Sequence, residues 1–430
     1  MFKLIFKTLW ARRRRNGWLL AELIVVCILS WAIFDPVLVL THDRHLPLGF
    51  DPDRLCLLSV DMLHPQAPGY DPSAADSAGR VDAFLNLVQR VRQHPDVESS
   101  TPVYAYAFPC SQGNASSSYT AEGDSVDRNV CIINYLPHTQ FFETYGFQAC
   151  KGSSPEELSD VSGFRLVLTE STLRTFFHTD DPRGKRFWEC GDGDTTYIPI
   201  AGAVGTIRYR TTWRPSPIGF VPMFESELAE SIPAEMRIVL RLKGGVSMER
   251  FVHDFQPWML ANVRAGNLYA RDLTPYPRLI REQEAGEVGS IYHRNLLVAV
   301  FFLVNLCLGV VGTFWLQTRT RREEIGVMLS FGSTPRRIVG LLLGEGAVLT
   351  TIATLVGCFI YLQYALSEGL AVGTEWINPT ETYWVDSFPL HFLAVSAFVY
   401  VLLLVVVLVG VYIPARRISR IPPTEALRDE

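Results

Sequence analysis

The chain is poor in the residue patterns that carry chemistry. None of HExxH, GxSxG and GxxxxGK[ST] occurs along its 430 residues, so zinc-protease, serine-hydrolase and P-loop phosphate chemistry have no motif to stand on. There is no CxxC pair, which removes the usual support for a thioredoxin-like or zinc-ribbon site. Charged residues make up only 19% of the chain. The basic residues that cluster do so beside apolar runs, where membrane topology explains them better than nucleic acid does. With a formal net charge of −5, no nucleic-acid partner is expected.

What the chain has is four apolar runs. Trp18 to Phe34 is broken only by Glu22 and Ser30, and continues past Asp35-Pro36 as Val37-Leu38-Val39-Leu40. Leu296 to Leu316 contains Asn305 and Thr313; Ile338 to Leu366 contains Glu345, three threonines and Gln363; Phe388 to Ile413 contains His391 and Ser396. A bilayer core of about 30 Å takes about 20 helical residues, so each run reads as a span. A cleaved signal peptide is the plainer reading of the first, given its basic leader Arg12 to Arg15 and Ser30-Trp31-Ala32. A signal core is shorter, and this run carries on beyond the would-be cut.

The flanks give an orientation. Lys3, Lys7 and Arg12 to Arg15 precede the first run, Arg319, Arg321, Arg322, Arg336 and Arg337 lie between the second and third, and Arg416, Arg417, Arg420 and Arg428 follow the fourth. The segment 367–387 has no Lys or Arg and carries Glu368, Glu375, Glu381 and Asp386. The positive-inside rule then divides the chain as follows. Residues 1–17 are a basic cytoplasmic terminus, 18–40 a first span, 41–290 an extracytoplasmic domain and 291–316 a second span. Residues 317–337 are a cytoplasmic helix and turn, 338–366 a third span, 367–387 a short outer loop, 388–413 a fourth span and 414–430 a cytoplasmic tail. The expectation is a multi-pass protein of the plasma (inner) membrane with both termini inside.

The outer domain reads as mixed α+β. Strands are expected at Leu55–Val60, Val97–Phe108, Asn129–Leu136, Phe164–Leu168, Ile198–Ile207 and Met236–Leu242. Val81, Leu85, Val88 and Val91 repeat at helical spacing, and a second helix runs through Met248 to Val263. Residues 65–79 and 111–127 read as polar loops. Asp192-Gly193-Asp194 lacks the surroundings of a calcium loop and reads as a solvated turn. His42, Asp43 and His45 read as a hydrated linker rather than a metal site. Asn114-Ala115-Ser116 is a formal glycosylation sequon that matters only where the cell glycosylates. Cys56, Cys110, Cys131, Cys150 and Cys190 lie outside; five is odd, so at least one is free or pairs between chains.

Within the spans the strongly polar positions are Glu22, Asn305, Glu345 and Gln363. Glu345 allows a structural pairing with a neighbouring helix or a proton-linked role. Gly340-x-x-x-Gly344 allows close helix approach, within the chain or between two copies. Glu22 can reach the interface near Arg12 to Arg15.

The segment between the second and third spans is the most informative. Ile325, Met328 and Leu329 fall at i, i+3 and i+4, an apolar stripe on a short helix. Gly332 fits a helix C-terminal cap, Ser333 or Thr334 the next N-cap, and Pro335 the first position of the third span. The stripe suits an interfacial anchor or the docking of a partner.

This segment resembles the basic-Glu-Ile-Gly…Gly motif of FtsX/MacB-type ABC permeases, through Arg322, Glu324, Ile325, Gly326, Gly332 and Arg337. It departs at Ser330-Phe331, where that family commonly has a basic residue and Ala. Phe141 to Phe147, Val167 to Ser171, Asp181 to Lys185, Pro414 to Arg417 and Pro423 to Arg428 resemble further family segments, in matching order. The resemblance implies a MacB periplasmic-core type of outer domain and a non-catalytic permease subunit. It implies an ATPase-coupling segment of Arg322, Glu324, Ile325, Gly326, Met328, Leu329, Phe331, Gly332 and Arg337. No cofactor would bind this chain directly; ATP and Mg would sit on a separate ATPase, since MacB's fused ATPase domain has no counterpart here. A second permease protomer, same or related, a periplasmic adaptor and an outer-membrane channel are the other implied partners. ATP-driven motion would pass through the helices to the outer domain, for export of a periplasmic substrate. The alternatives are an FtsX-like regulator of a cell-wall hydrolase, whose outer domain is usually smaller, a lipoprotein-release permease, and a membrane-anchored enzyme.

Overall fold

The computed structural model describes residues 13–150, 154–190, 195–320, 322–373 and 377–419. It divides into two compact units: Met1–Thr41, Ser290–Val372 and Thr382–Glu430 form one, and His42–Gly289 with Gly373–Glu381 the other. The first helix, α1 (Arg13–Arg44), runs unbroken through Pro36. It therefore carries His42 and Asp43 in its last turn, and Asp43 is buried. The hydrated linker read at this position is corrected to a helix end held inside the fold.

The second unit contains β1 (Leu55–Met62), α2 (Ser77–Arg92), β2 (Val97–Tyr104), β3 (Ala115–Ala121), β4 (Arg128–Tyr135), α3 (Phe141–Tyr145) and α4 (Pro155–Ser159). It continues with β5 (Leu166–Thr169), α5 (Glu170–Phe177), β6 (Arg186–Cys190), β7 (Thr195–Val204), β8 (Ile218–Pro222), α6 (Glu225–Ser231) and β9 (Met236–Leu242). It closes with α7 (Met248–Asn262), β10 (Arg264–Ala265), β11 (Leu268–Pro275), α8 (Tyr276–Glu284) and a π-helical turn, Ala285–Gly289. The strand order is β10-β11-β1-β9-β2-β4-β3-β6-β7-β5-β8, and β8 also pairs with β4. One half is thus an open antiparallel sheet, and the other is a closed ring of β4, β3, β6, β7, β5 and β8. A single residue pair, Val103 with Tyr135, joins β2 to β4.

Alternation along β1 explains two of the cores, because successive strand residues face opposite sides. Cys56, Leu58 and Val60 join Phe84, Leu87, Phe251 and Phe255 of the two covering helices. Leu55 and Leu57 join the aromatic cluster of Tyr135, Phe141, Phe142, Tyr145, Phe147 and Phe220. A third core, with Leu173, Phe176 and Phe187, lies between α5 and the ring. The polar loop read at 111–127 is corrected: Ser116, Ser117 and Ser118 pair with Cys131, Val130 and Asn129, making β3 a strand. Its exposed serines hide the pattern; ladder pairing with the strongly apolar β4 decides it. Asp192-Gly193-Asp194 lies outside the described residues. Among the described outer cysteines, Cys56, Cys110, Cys131 and Cys150 are free. Burial pushes the thiols of Cys56, Cys110 and Cys131 up to about 12, so they behave as small apolar groups.

The first unit adds α9 (Ser290–Thr320), α10 (Arg322–Ser330), α11 (Pro335–Glu368) and α12 (Phe388–Ile418) to α1. Four stretches, Gly17–Arg44, Tyr292–Thr313, Pro335–Glu368 and Phe388–Ile418, are long and apolar enough to cross a membrane. Leu19, Leu23, Cys27 and Trp31 recur every fourth residue along α1 and form one buried seam with Leu342, Leu349 and Ala353 of α11 and Val395, Val399 and Leu403 of α12. Trp31 stacks on Tyr361 and Phe392, with ring centroids 4.6 and 4.9 Å away. The lack of a side chain at Gly357 admits Cys27: a Cβ there would stand 2.8 Å from the Cys27 Sγ.

Candidate transmission site

The segment between the second and third long apolar helices forms the local structure its sequence calls for. Gly332 adopts φ +88°, and the Ser333 N–H donates to the Met328 carbonyl at 3.0 Å, closing α10. The Thr334 hydroxyl accepts from the Arg337 N–H, and Pro335 opens α11. Ile325, only 4% exposed, shares a buried cluster with Leu19, Ile338 and Ile418. Gly326 is buried, Met328 half-buried, and Leu329 half-buried against the same cluster. The apolar stripe therefore fastens α10 onto the ends of the chain's own long helices. The residues turned outward are Glu324, Val327 and Phe331, at i, i+3 and i+7, with Gly332, Arg336 and Arg337 beside them; Phe331 is 86% exposed. Only the backbone of Arg322 is described.

The polar positions within the long helices separate. Glu345 is buried on the α11 face that carries Leu342, Gly346 and Leu349. Gly340 and Gly344 are half-buried. Asn305 is exposed on α9, and its amide donates to the Phe301 carbonyl one turn back at 2.8 Å. Glu22 is half-buried and leans on α9, its Oε1 occupying the space a Cβ at Gly309 would take. Of the basic leader read beside Glu22, Arg12 lies outside the described residues, and only the backbone of Arg13 to Arg15 is described.

The sequence reading passed over a second cluster, Arg208 to Arg214. The Arg208 guanidinium is 1% exposed. It donates to the carbonyls of Asp43 at 2.6 Å, Pro47 at 3.0 Å, Thr211 at 2.9 Å and Trp213 at 3.1 Å, and also to that of Leu46. It thereby caps the carbonyl end of α1, where a cation complements both the orphan acceptors and the helix dipole. The Glu287 carboxylate, in the π-helical turn before α9, accepts from Arg210 Nη1 at 3.0 Å, Trp213 Nε1 at 2.7 Å and Thr212 Oγ1 at 2.7 Å. Glu284 accepts from Thr211 Oγ1 at 2.6 Å and pairs with Arg44 at 3.1 Å. One residue on, the Pro215 carbonyl accepts from the Thr380 N–H at 2.8 Å, and Ile377 is buried in the aromatic core.

This segment therefore ties together the last turn of α1, the turn that leads into α9 and part of the loop between α11 and α12. The run Arg-Tyr-Arg-Thr-Thr-Trp-Arg was the available signal, because three arginines amid aromatic residues cannot be buried without carbonyls or carboxylates. A cleft of about 410 Å³ elsewhere in this unit is lined by Leu85, Arg92, Leu136, His138, Met223 and Phe224. Among the described residues no group of three or more His, Cys, Asp or Glu could hold a metal.

Comparison with known families matches residues 296–423 to the FtsX-like permease C-terminal model. Comparison with curated proteins finds no match. Three of the solved structures that resemble the chain follow. A domain of a putative permease protein from Porphyromonas gingivalis is 20% identical, covering 53% of this chain and 94% of its own, with a TM-score of 0.34. The periplasmic region of MacB from Actinobacillus actinomycetemcomitans is 12% identical, covering 55% and 94%, with a TM-score of 0.30. The extracellular domain of the noncanonic ABC-type transporter YknZ from Gram-positive bacteria is 11% identical, covering 51% and 100%, with a TM-score of 0.26.

Proposed function

We propose that this chain, whose residues 296–423 match the FtsX-like permease C-terminal model, is the membrane subunit of a MacB/FtsX-type ABC system that moves an extracytoplasmic domain with energy from a separate ATPase. The observation that carries this reading is the Arg208–Arg214 cluster. It joins the end of α1 to the turn before α9 by buried, charge-assisted hydrogen bonds, so a shift of either helix end must move the domain that holds both. On this reading ATP and Mg belong to the partner ATPase, and the chain performs no chemistry itself. The outward face of α10, Glu324, Val327 and Phe331, would meet the ATPase, while Ile325 and Leu329 fix the helix to its own chain. The outer domain is of the MacB periplasmic-core type, both termini are cytoplasmic, and the complex holds two permease protomers in a plasma (inner) membrane. Export of a periplasmic substrate, with an adaptor and an outer-membrane channel, is the favoured output; hydrolase regulation and lipoprotein release are the alternatives.

The test is affinity purification of the tagged full chain in mild detergent, with mass spectrometry of its companions. A Walker-motif ATPase should copurify with the natural chain and be lost from Phe331→Asp, while membrane insertion is unchanged. An intact chain that brings no ATPase, with or without trapped nucleotide, would overturn the reading. Retention of the ATPase by Phe331→Asp would reject only the docking face.

A further inference from the structure

Asp35 and His391 stand 356 positions apart in sequence and meet inside the helical unit, their side chains 3% and 0% exposed. Asp35 lies in α1, and His391 is in the first turn of α12. His391 Nε2 lies 2.6 Å from Asp35 Oδ1, and its Nδ1 lies 2.8 Å from the Val385 carbonyl oxygen. Asp35 Oδ2 accepts from the Ala371 N–H at 3.0 Å. The Trp384 ring stands edge-on to the imidazole, 5.5 Å between centroids at 80°.

The proton count follows from what each atom can do. A carbonyl oxygen only accepts, so His391 Nδ1 carries a hydrogen. Nε2 of a neutral imidazole so protonated has a lone pair, and so does a carboxylate oxygen. Two lone pairs do not rest 2.6 Å apart; one proton must lie between them, as the short contact of a charge-assisted bond indicates. Written as imidazolium with carboxylate or imidazole with carboxylic acid, the pair holds one proton and is neutral overall. Neutrality is what a site surrounded by apolar helices requires.

We propose that Asp35 and His391 form a buried binding site for a single proton, and that this proton latches α1 to the start of α12 and to the chain leaving α11. Releasing it would set a buried carboxylate against an imidazole lone pair, so the latch opens: Asp35 keeps only the Ala371 N–H and His391 only the Val385 carbonyl. Two other titratable groups act on the pair, Tyr361 of α11 and Asp386. Asp386 is already engaged, accepting from the Tyr383 N–H at 2.7 Å. Neither stands between the two ring partners. The site is independent of the α10 face and of any ATPase.

The experiment uses the full chain in lipid nanodiscs, titrated from about pH 5 to about pH 10, a range that brackets the ordinary imidazole and tyrosine values. The read-out is the tryptophan emission of the natural chain minus that of Trp384→Phe. One transition of single-proton steepness is expected, absent from His391→Gln and from Asp35→Asn. The thermal midpoint of the natural chain should fall as pH rises through that transition, and that of the Asp35→Asn/His391→Gln double variant should not. A flat difference trace, or a transition that survives in His391→Gln, overturns the proposal. If the substituted latch does not fold, the natural chain and Trp384→Phe still decide it, because neither alters the pair.

Discussion

Glu287→Gln tests the Arg208–Arg214 cluster with a change of one atom. The carboxylate faces donors on both oxygens: Arg210 and Trp213 on Oε1, Thr212 and Gln283 on Oε2. An amide can keep its oxygen toward Arg210 and Trp213 and turn its NH₂ toward Thr212 and Gln283, both of which can reorient to accept. The irreducible loss is the charge opposite a guanidinium that is only 9% exposed. Hydrogen bonds to charged groups are worth about 1.5–3 kcal/mol, so the substitution should cost about 2–3 kcal/mol. Glu287→Ala also takes the acceptor from Arg210 Nη1 and Trp213 Nε1, and should cost about 3–5 kcal/mol. For a domain of this size each kcal/mol moves the midpoint by about 2–4 °C. Differential scanning calorimetry of the full chain should therefore show the outer-domain transition falling by about 5–10 °C for Gln and further for Ala. Glu282→Gln, which breaks an exposed pair with Arg278, is the control and should cost less than about 1 kcal/mol. If both Glu287 variants melt within about 1 °C of the natural chain, a span too small for the loss of a buried ion pair, the cluster does not bind α1 to α9.

Three further outcomes are expected. Ile325→Ala should destabilise the helical unit by about 2–5 kcal/mol, while Phe331→Ala should stay within about 0.5 kcal/mol; equal effects in thermal unfolding would mean that the two faces of α10 are misassigned. Gly357→Val pushes α1 off α11 at Cys27 and should cost about 1–3 kcal/mol, read from the same scan; no change would show that the helices do not approach there. His94 is packed among the rings of Phe251, Phe255 and Trp258 at 5.5, 5.2 and 4.8 Å, and burial holds its imidazole below the ordinary value despite Asp96 and Asp254. The unfolded chain therefore binds the extra proton first, so stability is complete above about pH 6.5 and falls as pH drops below it. His94→Gln should flatten that acid limb in urea titrations, and an unchanged limb would exclude His94 as its source.

The long helices were legible because about 20 consecutive apolar residues have few other uses, and the turn into α11 because Gly332, Thr334 and Pro335 each act locally. The strands β4 and β9 were legible for the same reason, being short runs such as Val130 to Ile133. What escaped depends on partners distant in sequence. The serines of β3 become a strand only beside β4. Arg208 is a helix cap only because Asp43, Leu46 and Pro47 come to it across more than 150 residues. Asp35 and His391 each looked like an isolated interruption of an apolar run, since the partner of each lies 356 positions away. The inward turn of Ile325 could not be told from an outward one, because an amphipathic helix states which face is apolar and leaves open what covers it.

The junction between the two halves of the outer domain has a mechanical consequence. Force entering along β11 and β1 meets ladders several residues long, in which many hydrogen bonds share a load applied along the strands. At β2 the ladder narrows to the one pair, Val103 with Tyr135, and beyond it the closed ring has no edge at which to unzip. The open sheet and the ring are therefore coupled through that one ladder pair and through the close-packed side chains of the core they share, Leu55, Leu57 and Val239 on one side and Ile133 and Phe220 on the other. A load along β11 and β1 therefore reaches the ring chiefly through side-chain packing, where it is spread over many contacts and not over a row of hydrogen bonds.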